Sequence, residues 1–144
     1  MFLIIYTSVI ATTMMTLFSY LYSEFKNEKF KEPQLINILI NRLPNVSSSI
    51  GNNNVLGWFI HYIIGFIFTC LFFVFWEFTD FSPSWLNGSI LGFIAGIIGI
   101  SSWKIGFYFH PKPPSIQFSH FYFQLLIAHI LFGVSSIGYL KFLT

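Results

Sequence analysis

Charge is what this chain has least of. Only 8% of its 144 residues are Asp, Glu, Lys or Arg, and the formal net charge is +2. A soluble domain carries roughly 25% charged residues. Seven basic and five acidic side chains cannot cover a chain that is 55% hydrophobic. With a mean hydropathy of +0.71, the composition is that of an integral membrane protein whose solvent partner is the lipid bilayer. The same shortage of basic residues excludes a nucleic-acid partner. A single cysteine, Cys70, excludes a disulfide scaffold. No G-x-S-x-G, Walker-type glycine loop, H-E-x-x-H or C-x-x-C is present, so no enzyme activity is expected. The five acidic residues fall near the ends of the apolar runs. They offer no carboxylate pair, and no carboxylate is expected at the depth of the buried histidines described below.

Long apolar runs are what the chain has in their place. A membrane-spanning helix needs about 20 apolar residues, and four runs qualify: residues 2–22, 55–76, 85–109 and 121–143. The third stops at His110-Pro111-Lys112-Pro113-Pro114, where proline cannot continue a helix. These spans predict an all-α, four-helix polytopic membrane protein in one domain, residues 1–144. The first run has no Lys or Arg before it and no small-x-small site after it, so it reads as a retained helix and not as a cleaved signal. Twenty Phe residues, with abundant Ile, Asn and Lys, fit an A/T-rich genome. They are not read as a cofactor box.

Orientation follows from the basic residues. Lys26, Lys29, Lys31 and Arg42 lie between the first two spans, Lys112 lies between the last two, and Lys104 can snorkel toward the same end. The other side has Lys141, Glu77 and Asp80. In a bacterial inner membrane both termini are therefore expected in the periplasm and both basic loops in the cytoplasm. Residues 33–43 read as a short amphipathic helix opened by Pro33 and lying on the cytoplasmic face. Ser47, Ser48, Ser49, Gly51 and Asn52–Asn54 read as a flexible connector, and the Lys/Glu alternation from Glu24 to Glu32 as a solvated helix extension.

Small and polar residues recur at helical spacing within the spans. Gly57, His61, Gly65 and Thr69 form one stripe in the second span, and Leu125, His129 and Gly133 repeat it in the fourth. The first and third spans match more loosely, as Ser8-Val-Ile-Ala11-Thr12 against Gly92-Phe-Ile-Ala95-Gly96. Two parallel helical hairpins related by an axis along the membrane normal are one architecture with that signature. Gly88, Gly92, Gly96 and Gly99 make the third span the best surface for close helix packing. Its expected partner is the stripe Ser8, Thr12 and Ser19 of the first span, and homodimerisation through the third span is the alternative.

His61 and His129 lie roughly 9 and 12 Å below the cytoplasmic ends of their spans at helical rise, and ionisable groups at such depth are informative. Three roles are open to them. They can hydrogen-bond neighbouring helices, line a polar cavity for a substrate, ion or proton, or ligate one haem b axially while the glycines four residues later make room for the macrocycle. His110 and His120 flank the last loop as a candidate surface metal pair, although ordinary turn residues explain them as well.

The Ile10-Ala11-Thr12-Thr13-Met14-Met15-Thr16 segment, the His61–Gly65 span, the glycine-rich third span and the His129–Gly133 span together resemble a group of small four-helix bacterial inner-membrane proteins. Those proteins have an Ala-Thr-x-x-Met first span and a histidine–glycine helix. The resemblance implies the four-span topology and singles out Thr12, His61, Gly65, His129 and Gly133, but carries no activity with it. The long Ser/Asn connector departs from the pattern. The functional expectation is an accessory subunit of a larger membrane complex or a minimal transport or channel unit, acting as a homo-oligomer or in a complex; a bis-His haem redox protein is the alternative. An accessory protein co-purifies with its complex, a transporter encloses a polar cavity, and a haem protein is coloured.

Overall fold

The structure is a computed structural model that describes residues 2–44 and 50–143. Every regular element in it is a helix: α1 (Phe2–Lys26), α2 (Glu32–Asn41), α3 (Val55–Phe78), α4 (Trp85–Phe109) and α5 (Phe118–Phe142). Four of them, α1, α3, α4 and α5, are long and apolar enough to cross a membrane. The protein is a multi-pass helical membrane protein.

Local chemistry sets the helix ends. α1 stops where Asn27 takes φ 52°, a left-handed conformation that asparagine tolerates better than most residues. Ser23 then accepts the reversing chain, its backbone oxygen bonding Glu28 N at 3.1 Å. Asn54 caps α3 through Leu56 N, and Ser84 caps α4 through Asn87 N. α4 ends at His110, ahead of the proline run.

Around the bundle the order of packing is α3, α1, α5, α4, with α2 laid against α3. The two central helices bury more of themselves, 39% of the spanning window for α1 and 44% for α5 against 22% for both α3 and α4. α3 and α4 form no seam comparable to the other three. This breaks the expected two-hairpin symmetry. A two-fold that exchanges α1 with α4 and α3 with α5 turns the extensive α1–α5 contact into an α3–α4 contact, and the bundle has a gap there.

The glycine face of α4 is covered by α5 and not by α1. A Cβ at Gly92 would sit 2.4 Å from His129 O, and one at Gly133 would sit 2.0 Å from Gly88 O, so the two backbones touch. Small residues permit that approach, which is a main source of helix association where water drives nothing. The small stripe of α1 packs on α3 and α5, with Thr12 filling the space over Gly65.

The short helix α2 packs against α3 and turns part of its surface into the bundle. It begins one residue earlier and ends two earlier than expected. Glu32, Pro33, Leu35, Asn37 and Ile38 are buried. Gly57 makes room for it, since a Cβ there would meet Pro33 O at 2.1 Å. Asn37 then ties α2 to the start of α3, donating to Asn52 O and Asn54 O and accepting from Gly57 N. At its other end Arg42 donates to Lys112 O and Pro113 O, and His110 Nε2 donates to Leu39 O at 2.9 Å. α2 thus bridges the start of α3 and the α4–α5 loop. The expected flexible connector is partly a set of hydrogen-bonding partners, with Asn53 also accepting from Gln34; Ser47, Ser48 and Ser49 lie outside the described residues.

Phe30 is the aromatic anchor of this end. It is fully buried and packs against Tyr22 and Phe121. The exposed apolar residues, such as Phe59, Ile67, Ile90, Ile97 and Phe123, lie on the outer faces of the spans, as lipid contact requires.

Candidate functional site

The gap between α3 and α4 is a cavity of about 510 Å³. α3 and α4 are its walls, contributing Ile60, His61, Ile64, Gly65 and Phe68 on one side and Gly99, Ser102, Trp103 and Gly106 on the other. Met15 of α1 and Leu125, His129 and Phe132 of α5 form the back, and Glu32, Ile36, Leu39 and Ile40 of α2 form the roof. Ile64, Ser102 and Gly106 are exposed as well as lining, so the cavity opens sideways between the two outer helices. Its wall is mostly apolar, with Glu32, His61, His129 and Ser102 as the polar exceptions.

The structure brings His61 and His129 to this one cavity, both buried. Their hydrogen bonds fix which nitrogen carries the proton. Thr16 donates its only hydroxyl hydrogen to Thr12 O at 2.6 Å. The 2.9 Å contact between Thr16 Oγ1 and His61 Nε2 must therefore be donated by the ring, which leaves a lone pair on His61 Nδ1. His129 Nδ1 donates to Leu125 O at 2.8 Å, which leaves the lone pair on Nε2. Neither remaining nitrogen has a protein partner. Ser102 donates to Ile98 O at 2.9 Å, so its hydroxyl too has only acceptor capacity to spare.

Glu32 is the residue that charge-based reading misplaces. Expected in a solvated extension, it is 2% exposed and accepts through Oε1 from Ser19 Oγ and Gln124 Nε2, each at 2.8 Å. Ser19 lies one helical turn, roughly 4.5 Å, nearer the basic end than Thr16. A carboxylate thus does reach into the bundle near the level of the histidines, because α2 folds its first residue inward. Burial pushes this carboxyl up to about 7, against hydrogen bonds from Gln124, from its own backbone and from Ser19. Oε2 is enclosed and has no hydrogen-bond partner, as is Gln124 Oε1. Gln124, which holds Glu32 in place behind the cavity wall, is a residue that the sequence reading missed. The available signal was its position in the fourth span, one residue before Leu125 on the His129 stripe.

The other candidates fall elsewhere. Thr12 is fully buried, with its hydroxyl unpartnered, and serves as the side chain that fills the Gly65 gap. Gly65 and Gly133, expected to give room to a macrocycle, are occupied by Thr12 and by the backbone of Gly88. Gly99 instead makes room for the His129 ring, whose Nε2 would lie 3.1 Å from a Cβ there. His110 is tied to Leu39, while His120 Nδ1 meets Tyr22 OH at 3.5 Å. Among the described residues no group of three or more His, Cys, Asp or Glu is arranged to hold a metal ion.

Compared with protein-family models, curated proteins and solved structures, the chain matches none. Its site has to be read from its own chemistry.

Proposed function

We propose that the protein is a minimal membrane carrier: it takes a membrane-soluble small molecule from the lipid through the α3–α4 opening and holds it beneath α2. The observation that carries this reading is the cavity itself. It has the size of small-molecule sites, an apolar wall, a side opening between two helices that do not pack, and a few convergent polar groups. An ion or proton path would need a more continuous polar lining than four residues supply. In this reading the chain sits in a bacterial inner membrane with α2 and both basic loops in the cytoplasm, supported by the clustering of Lys26, Lys29, Lys31, Arg42 and Lys112 at one end. Reporter fusions at Asn53 and Pro113 are then cytoplasmic, and a fusion after Thr144 is periplasmic.

Gly106 supplies the test of the cavity. It lines the opening, and a Cβ there would meet nothing within 4 Å, so Gly106→Phe can block the mouth without disturbing a helix seam. The protein purified in mild detergent is extracted and its lipophilic content identified by mass spectrometry. The expected result is one enriched compound, near stoichiometric with the wild-type chain and lost from folded Gly106→Phe. Identical bulk-lipid profiles for the two proteins would refute the carrier reading.

A further inference from the structure

The hydrogen-bond directions around the cavity select its ligand, an inference that rests on the carrier reading and narrows it. The two histidine nitrogens left without partners, His61 Nδ1 and His129 Nε2, are both lone-pair acceptors. Ser102 adds a third acceptor. Trp103 brings the one N–H among the lining side chains that has no protein partner. A head group made only of acceptors, such as an ether, ester, ketone or carboxylate, leaves these lone pairs unmet. Buried acceptors without partners are costly. A head that donates satisfies them.

Charge narrows the choice further. A cationic head would need an anion to offset the loss of its hydration in an apolar cavity. Glu32 is the acidic residue in the lining, but its Oε1 already accepts from Ser19 and Gln124, and its Oε2 is enclosed by protein. The head therefore meets neutral acceptors. A hydroxyl is a compact neutral group that donates to an imidazole lone pair and can still accept from an indole N–H. One hydroxyl has one hydrogen to give, and there are two imidazoles. We propose that the cavity binds an uncharged, lipid-soluble molecule with two hydroxyl groups, which donate to His61 Nδ1 and His129 Nε2 while the apolar tail lies along Phe68, Phe132 and the α3–α4 opening.

A glycerol-type diol and a dihydroxy aromatic ring share this chemistry, and probes of both kinds separate them. The detergent-solubilised full chain is titrated with 1,2-hexadecanediol, with decylhydroquinone kept reduced, with 1,2-dimethoxyhexadecane and with hexadecylamine. The readouts are the midpoint of thermal unfolding and the ¹⁵N resonances of the histidine rings. The expected result is saturable stabilisation by the diol, the hydroquinone or both, at least tenfold tighter than by the dimethyl ether. The resonances of the two unprotonated nitrogens, His61 Nδ1 and His129 Nε2, then move on binding. That NMR signature is read on the wild-type protein and does not depend on any variant folding. His129→Phe is expected to weaken diol binding about tenfold, as loss of one hydrogen bond implies, and to leave ether binding unchanged. Equal binding of diol and ether, both abolished by Gly106→Phe, would overturn the hydroxyl assignment and leave the carrier reading standing. Tightest binding by hexadecylamine would overturn it in favour of a cation. If no probe stabilises the protein and extraction yields no enriched compound, both readings fall together.

Discussion

The two halves of this bundle use the same His-x-x-x-Gly spacing in different ways. In the α1–α3 half the seam is made by side chains. His61 donates to Thr16, Tyr62 OH and Thr13 Oγ1 lie 2.9 Å apart, and Gly65 is the hollow that receives Thr12. In the α4–α5 half the seam is made by backbone lying against backbone at the glycines. There the histidine bonds its own helix at Leu125 O, and Gly133 meets the backbone of Gly88. A shared sequence motif thus specifies a small residue next to a ring, while the neighbouring helix decides what fills the gap. Where the neighbour offers hydroxyls, the seam is directional and adjustable. Where it offers glycines, the seam is close and unforgiving.

The largest effect that this contrast predicts is at the glycines. Gly92→Leu or Gly133→Leu forces backbone from backbone and is expected to cost about 3 kcal/mol or more, read as loss of the folded form in detergent unfolding. No trimming of a neighbouring side chain can rescue it, because the obstacle is main chain. Gly65→Ala is expected to cost about 1–3 kcal/mol, and Thr12→Ala in the same chain to recover most of that. Full recovery of Gly133→Ala by a side-chain truncation on α4 would erase the distinction between the halves.

Next in size is Glu32, which belongs to neither half and joins α2 to both α1 and α5. Its folded-state value of about 7 lies above the ordinary 4.5, so the folded protein binds the proton more tightly than the unfolded chain. Its contribution is therefore most favourable below about pH 4.5, falls as pH rises toward 7, and levels off above that. The expected loss across the interval is about 3 kcal/mol. Glu32→Gln retains an acceptor for Ser19 and Gln124 and is expected to flatten this part of the stability–pH profile. A profile as steep in Glu32→Gln as in the wild type would mean that another group titrates.

The smallest effect is at the histidines. A double-mutant cycle between His61→Phe and Thr16→Val is expected to give a coupling of about 0.6 kcal/mol, the average for hydrogen bonds between membrane helices. The corresponding cycle between His129→Phe and Thr16→Val is expected to give none. Equal couplings would restore the equivalence that the repeat implied.

The four spans were legible because length and hydropathy suffice to define them, and their ends differ from the expected ones by no more than four residues. The burial of His61 and His129 and the close contacts at the glycines were legible from helical spacing. What spacing lacks is an address. The Gly88–Gly92–Gly96 stripe announces a close seam but does not say with which helix, and α5 won over α1 because Gly133 lets its backbone come nearer than the hydroxyls of α1 can. Glu32 was misread for a related reason. A charge beside a membrane boundary is ordinarily solvated, and the partners that draw it inward are 13 and 92 residues away in sequence. The cavity follows from both errors together: α4 leans on α5, α3 leans on α1, and α2 roofs the space left between them.

Trp103 reports most directly on the lateral opening. Trp103 lines the cavity and packs against Phe107 and Phe121. In a chain with Trp58, Trp76 and Trp85 replaced by Phe, its fluorescence is measured in vesicles of phospholipid brominated along the acyl chain. Strong quenching is expected, and Gly106→Phe is expected to relieve it by plugging the mouth. Quenching unchanged by Gly106→Phe, or a Trp103 that the brominated chains never reach, would contradict the lateral opening.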